Sequence, residues 1–193
     1  MSEAPVKDQQ QTLVRAAALN GIGLHTGEPV SMRVLPAPPD TGIVFVRVDL
    51  PHRPAIPAAP CHAVEREGEM RRTVLAKEGV EVQTVEHFMA ALWGLGIDNA
   101  YVEVSGVEMP GLDGSAAGFV EMLKTAGLAP QDAPRQFFSP KEPMVLEDGE
   151  AVIAVFPDRA LRISYTLNYN HPALKSQFAS FGANSQPFEE AIA

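Results

Sequence analysis

Short apolar or alternating runs predict a region of strands in the first two thirds of the chain. The clearest is 30–35, where Val30, Met32 and Val34 alternate with polar residues, as in a strand with one buried face. Residues 20–29 carry three glycines and a proline and predict a shaped turn. Strands are predicted at 12–18, 30–35, 43–50, 73–76, 80–83 and 99–106.

Two stretches have helical spacing. The first helix begins after Thr84, a residue type that commonly caps helices, and ends at the glycines Gly94 and Gly96. Its apolar stripe consists of Val85, Phe88, Met89 and Leu92. The second helix is predicted near 116–126, with Asp113 or Ser115 as the capping residue.

The order of these elements predicts an α+β fold in two parts. Residues 1–128 form one unit of strands with two helices to cover one face. Residues 129–135 are polar and rich in proline and are interpreted as a linker. Residues 136–193 contain further strands, with an Asp-Gly hairpin turn at 148–149 and barely one helix, so this second unit is expected to be incomplete.

Composition narrows the class of partner. The 193 residues carry a formal net charge of −9, which argues against broad nucleic-acid binding. A single cysteine, Cys61, excludes an internal disulfide and a cysteine-rich zinc finger. The polar start of the chain lacks a signal peptide, and there is no apolar run long enough to span a membrane, so a cytoplasmic protein is expected.

The first helix opens with an acid and an imidazole side by side, Glu86 and His87. A helix N-terminus favours a neutral imidazole, the form that binds metal, and a neighbouring carboxylate can take a proton from water. By spacing alone the pair is a weak signal, because Ala91 stands where a zinc protease motif has a second histidine. A surface glutamate beside a hydrogen-bonded histidine is the alternative.

Four separated motifs, taken in order, resemble the UDP-3-O-acyl-N-acetylglucosamine deacetylase (LpxC) family of lipid A biosynthesis. The first is GIGLHTG at 21–27, which we name the glycine loop. The others are TVEHFMAALWGLGIDN at 84–99, MPGLDGSAAGFV at 109–120 and NYNHPAL at 168–174. The resemblance extends along nearly the whole chain, and the order of four motifs is more specific than any one of them.

The resemblance implies a tandem fold of two sheet-and-helix sandwich units and a zinc-dependent amide hydrolysis, with iron(II) as an alternative metal. It implies that His87 is one metal ligand and that Glu86 is the general base. The substrate would be a UDP-sugar with an acyl chain. The positions that match the family near that substrate are Leu24, His25, Met70 and Thr73.

The chain also departs from the family pattern. The family's further ligands, in an H-K-x-x-D motif, and its catalytic acid have no match in this sequence. We therefore expect an N-terminal portion that binds zinc weakly or not at all and does not turn over substrate alone. We also expect exposed apolar strands in 141–168 that favour self-association. A non-catalytic binding or interaction module with the same fold is the alternative function.

Overall fold

The computed structural model describes residues 9–65, 71–171, 173–182, 187–191 and 193. Over these ranges the chain is a mixture of strands and a few helices, so the predicted α+β class is confirmed. The strands are β1 (Gln9–Leu13), β2 (Ala17–Ile22), β3 (Pro29–Pro36), β4 (Ile43–Arg47), β5 (Ala55–Pro57), β6 (Ala63–Val64), β7 (Val74–Lys77), β8 (Val80–Gln83), β9 (Ala100–Val104), β10 (Leu128–Pro134), β11 (Met144–Asp148), β12 (Ala151–Val155), β13 (Arg162–Leu167) and β14 (Gln177–Gly182). The helices are α1 (Glu86–Leu95), α2 (Ala117–Ala126) and α3 (Phe188–Ala191), with a 3-10 turn at Pro60–His62.

The chain divides into two compact units. Of the described residues, those from 9 to 135 and Ala193 belong to the first unit, and those from 136 to 191 belong to the second. None of the helices in the described part of the chain has the combination of length and apolar character that a membrane span needs.

A five-stranded sheet in the order β2-β3-β9-β4-β5 forms the centre of the first unit. Its neighbouring strands are antiparallel except for the parallel pair β4 and β9. In β3 the buried residues are Val30, Met32 and Val34, which confirms the predicted alternation. One face of the sheet is therefore apolar and must be covered.

The helices α1 and α2 supply that cover. Phe88 of α1 is fully buried and meets Phe45 of β4 and Phe119 of α2 with ring centroids 6.3 Å and 5.4 Å away. Both ring pairs are edge-to-face, an arrangement that aromatic quadrupoles favour. A single side chain thus joins the sheet to both helices, and the first unit is a two-layer sandwich.

Two smaller sheets complete this unit, and one of them corrects the sequence analysis. A three-stranded antiparallel sheet is ordered β6-β7-β8, which includes the predicted hairpin. The stretch 129–135, interpreted as a linker, instead lies almost wholly in β10, which pairs antiparallel with β1. Prolines remove a ladder donor but are tolerated in a strand whose other edge is unpaired, and β10 has one neighbour.

The strand predicted at 12–18 is also different in the structure. It is broken between Leu13 and Ala17, where the chain leaves the β1–β10 pair and enters the central sheet. The apolar run continues across the break, so hydrophobicity alone did not reveal the change of sheet. Likewise, β2 extends into the predicted loop as far as Ile22.

The second unit contains two hairpins and a short helix. In the first, β11 pairs with β12 through the predicted Asp-Gly turn, where Gly149 has a φ of 57°. In the second, β13 pairs with β14. Both strands of the first hairpin are exposed along their whole length: Leu146 is 68% exposed and Ile153 is 64% exposed. The expected exposure of apolar strand residues is therefore present in this unit.

Candidate active site

Three of the four motifs meet at the start of α1, all within the first unit. The segment between β9 and α2, residues 107–115, runs between the glycine loop and the chain that enters α1, and we name it the site loop. A β-bridge joins Gly23 to Pro110, and a second joins Gln83 to Glu108. The site loop therefore fixes the distance between the glycine loop and the helix start.

Two glycines permit this close approach. A Cβ atom on Gly23 would collide with the Thr26 hydroxyl and the Glu108 carboxylate. A Cβ on Gly111 would lie 2.9 Å from the Cβ of Leu24, closer than real Cβ contacts allow. Leu24 thus packs on the site loop, although 59% of it is exposed.

The carboxylate of Glu108 lies at the centre of the three segments and is only 2% exposed. Its Oε2 accepts hydrogen bonds from the Thr26 N–H at 2.8 Å and the Thr26 hydroxyl at 2.7 Å. Its Oε1 accepts from the His25 N–H at 3.0 Å and the Thr84 hydroxyl at 2.8 Å. Burial raises the pKa of Glu108, but these donors outweigh it and bring the pKa down to about 2 from its ordinary 4.5.

Thr84 was predicted to cap α1, and the structure corrects this. The N-cap position is Val85, and no side chain caps the helix there. Thr84 has a φ of 57°, in the left-handed region, which is a strained conformation for a β-branched residue and costs about 1–3 kcal/mol. Its hydroxyl donates to Glu108 rather than to the helix, and its N–H donates to the Thr73 carbonyl at 2.9 Å.

Glu86 is the first residue of α1 and is half-buried. Its Oε2 accepts a hydrogen bond from the backbone N–H of Thr73 at 3.0 Å. The peptide groups of Thr73 therefore hold both the Glu86 carboxylate and the Thr84 backbone. This contact orients a carboxylate towards the entrance of α1, where a proton acceptor could act.

His87 follows in the same turn and is half-buried. The pKa of the exposed Asp113 is lowered, chiefly because Ser115 donates to it from its hydroxyl and its backbone N–H, with a smaller contribution from the charge of His87. Ser115 in turn accepts a hydrogen bond from the Ala117 N–H at 3.2 Å. The N-cap position of α2 is Ala116, and no side chain caps the helix there, so the predicted cap at Asp113 or Ser115 is wrong.

The structure brings together most of the residues singled out in the sequence. Glu86 and Thr73 are hydrogen-bonded to each other. His25 and Leu24 contact the site loop, the first at Glu108 and the second at Gly111. For Thr73 and His25, the contacts are made by backbone groups, while their side chains are exposed. Met70, the remaining predicted substrate residue, lies outside the described residues.

The residues present fit a zinc site only in part. Among the described residues, no three His, Cys, Asp or Glu side chains form a group that could hold a metal ion. A catalytic zinc takes three protein ligands. His87 and Glu86 have suitable chemistry, but the described part of the chain does not supply the complete donor set.

Glu108 was missed by the sequence analysis. The signal was a lone acid between the apolar residues Val107 and Met109, close behind the strand that ends at Val104. An ionised side chain in such a place requires several donors. Those donors come from residues more than 20 positions away, so the sequence did not reveal them.

Comparison with known proteins identifies the family. The model of the family described as UDP-3-O-acyl N-acetylglycosamine deacetylase matches residues 10–193. The chain belongs to that deacetylase family. The match includes the glycine loop, the start of α1 and the site loop, which are the segments that meet in the structure.

Curated deacetylases give the same result. The UDP-3-O-acyl-N-acetylglucosamine deacetylase of Myxococcus xanthus is 40% identical over 188 residues, which is 97% of this chain. The enzymes of the same name from Syntrophotalea carbinolica and Citrifermentans bemidjiense are 38% and 41% identical over 95% and 93% of the chain. The chain spans only about 59% of the length of the first two relatives and 58% of the third.

Proposed function

We propose that this chain provides the first sandwich unit of a zinc-dependent deacetylase that acts on UDP-3-O-acyl-N-acetylglucosamine in lipid A biosynthesis. The observation that carries the proposal is the meeting of three family motifs at the start of α1, where the Thr73 N–H holds the Glu86 carboxylate at 3.0 Å. Curated relatives that align with nearly the whole chain bear the name of this activity.

In this proposal Glu86 is the general base. One of its oxygens is fixed by the Thr73 N–H, so the carboxylate has a defined direction before substrate binds. It takes the proton of the water that attacks the acetamide carbonyl, and the products are acetate and a free sugar amine. The exposed Leu24 and His25 contact the substrate from the glycine loop.

His87 is proposed as one ligand of the metal, with zinc as the expected ion and iron(II) as the alternative. When bound, such a metal polarises a carbonyl and lowers the pKa of a coordinated water. The other ligands are not among the described residues of this chain. Hence we expect the chain alone to hold zinc weakly and to be inactive. Its cytoplasmic location and its self-association stay predictions.

A chimaera tests the proposal. This chain would replace the 188 residues with which it aligns in the Myxococcus xanthus deacetylase, so that the relative supplies the remainder. We expect the chimaera to release acetate from UDP-3-O-acyl-N-acetylglucosamine. Glu86→Ala should retain zinc and lose at least 99% of the rate, whereas His87→Ala should lose zinc.

The parent enzyme from Myxococcus xanthus is the positive control for the assay, and circular dichroism reports folding. A folded chimaera without activity beside an active parent would contradict the proposal and favour a non-catalytic module. Full activity in Glu86→Ala would remove the proposed base. Metal analysis of purified protein separates the role of His87 from that of Glu86.

A further inference from the structure

We propose that Glu108 is a positioning residue of the deacetylation site, which holds the glycine loop and the start of α1 in one arrangement. The catalytic significance of this inference rests on the proposed function. The hydrogen bonds from which it is argued do not depend on that function. The same carboxylate binds donors on both sides: the glycine loop on one and Thr84 on the other.

On the loop side, Glu108 takes two consecutive backbone donors. The N–H groups of His25 and Thr26 both point at its carboxylate, and the Thr26 hydroxyl adds a third bond. Consecutive N–H groups of this kind form a concave anion site. Because Glu108 already occupies it, the glycine loop offers its side chains, rather than its backbone, to a ligand.

On the helix side, Glu108 acts through Thr84. The left-handed backbone of Thr84 turns the chain from β8 into α1, two residues before Glu86. A β-branched residue adopts this conformation only when its surroundings hold it there. The bond from the Thr84 hydroxyl to Glu108, at 2.8 Å, is such a restraint. It therefore fixes the direction in which Glu86 and His87 leave the strand.

The position of Glu108 is itself fixed. Both residues next to Glu108 are hydrogen-bonded to Gln83. The Gln83 N–H donates to the Val107 carbonyl, and the Met109 N–H donates to the Gln83 carbonyl. An apolar side chain could fill this buried place, and it would not incur the cost of burying a charge. The presence of a carboxylate is explained by the need to accept hydrogen bonds from two separate segments at once.

Amide hydrogen exchange of the 193-residue chain tests the holding role without any assay of activity. Two groups of amides report on the two sides: His25 and Thr26 for the loop, and Met89, whose N–H makes an early bond of α1 to Val85, for the helix. The amides of Val34 and Val102, paired in the central sheet, report on global unfolding.

We expect Glu108→Gln to speed exchange at His25, Thr26 and Met89 at least tenfold beyond the change at Val34 and Val102, which follows the loss of global stability. Thr84→Val, which removes only the hydroxyl, should speed exchange at Met89 and spare Thr26. Glu28→Gln, a matched change at an exposed acid beside the loop, should alter neither.

Unchanged exchange at both reporter groups in Glu108→Gln would overturn the proposal. A loss of protection at His25, Thr26 and Met89 that is no larger than that at Val34 and Val102 would do so as well, because it would show a purely structural role. If Glu108→Gln does not fold, the same exchange measurement on Glu108→Asp and Thr84→Val tests the proposal, since each variant retains part of the hydrogen bonding around residue 108.

Kinetics of the chimaera link the role to the reaction. Thr84→Val, which acts only on the helix side, should lower kcat at least fivefold with less than a twofold change in KM. Glu108→Gln should lower kcat and also raise KM, because it releases the glycine loop too. Equal effects of both variants on KM would refute the division of roles. An inactive wild-type chimaera would instead refute the proposed function and leave the exchange result to decide the holding role.

Discussion

The buried carboxylate of Glu108 should make the stability of the first unit depend on pH. In the folded chain its pKa is about 2, against an ordinary 4.5. A carboxylate whose pKa is lowered by folding stabilises the folded state above its unfolded pKa, and that stabilisation disappears as the pH falls towards the folded pKa. The affected window therefore lies between about pH 4.5 and pH 2.

The magnitude follows from the same two values. A difference of about 2.5 in pKa, at 1.36 kcal/mol for each pKa unit, corresponds to about 3 kcal/mol at pH 7. At pH 3 the unfolded chain has bound a proton at this carboxylate while the folded chain mostly has not, which leaves about 1 kcal/mol. About 2 kcal/mol of the contribution of Glu108 is thus lost between pH 7 and pH 3.

Urea denaturation of the wild type and of Glu108→Gln at both pH values measures this loss. Trp93 is the single tryptophan and lies in α1, so its fluorescence reports the first unit alone. Glutamine has nearly the same size but no charge that titrates. The difference in unfolding free energy between the two proteins should therefore shrink by about 2 kcal/mol from pH 7 to pH 3.

Glu28→Gln is the control, because Glu28 is exposed beside the same loop and lacks the four donors of Glu108. Its unfolding free energy should follow that of the wild type at both pH values. A difference between wild type and Glu108→Gln that is the same at pH 7 and pH 3 would refute the reasoning. So would a Glu108→Gln protein as stable as the wild type at pH 7.

Three further predictions concern packing and association. Phe88→Ala should destabilise the first unit by about 3–5 kcal/mol in the same urea assay, because it opens a cavity among buried rings, and a cost below 1 kcal/mol would contradict the packing described. Gly23→Ala should lower the unfolding free energy more than Gly27→Ala, because a Cβ at Gly27 would meet no atom within 4 Å and the only strain there is the positive φ. Equal urea midpoints for the two variants would contradict this. Replacing Leu146 and Ile153 with serine should reduce concentration-dependent self-association in light scattering, and a wild type that stays monomeric at all concentrations would exclude the association.

Much of the local structure could be predicted because it depends on neighbouring residues. The alternation in β3, the spacing of Phe88 and Leu92 in α1 and the Asp-Gly turn before β12 each follow from a few adjacent positions. Glu86 and His87 could be placed at the start of a helix for the same reason. Their proposed role as a site came from the order of the motifs, because an acid beside an imidazole is by itself a weak signal.

The sequence-based predictions were wrong where the local structure is set by residues distant in the sequence. Residues 129–135 contain three local signals of a linker, prolines, polarity and a helix end before them, yet β1 pairs with this stretch across more than 110 positions. Thr84 has the chemistry of a helix cap, but the carboxylate of Glu108 draws its hydroxyl away and its backbone into the left-handed region. A local pattern contains no information on either partner.

The sequence alone determined most of the strands, the two longer helices, the buried faces of β3 and α1, and the family, because periodicity, turn residues and ordered motifs are encoded in adjacent positions. Only the tertiary structure decided that a buried carboxylate joins the glycine loop to the start of α1. Hydrogen bonds between residues 24 to 83 positions apart depend on how the sheet is ordered, and the order of a sheet is set by the packing of the whole unit.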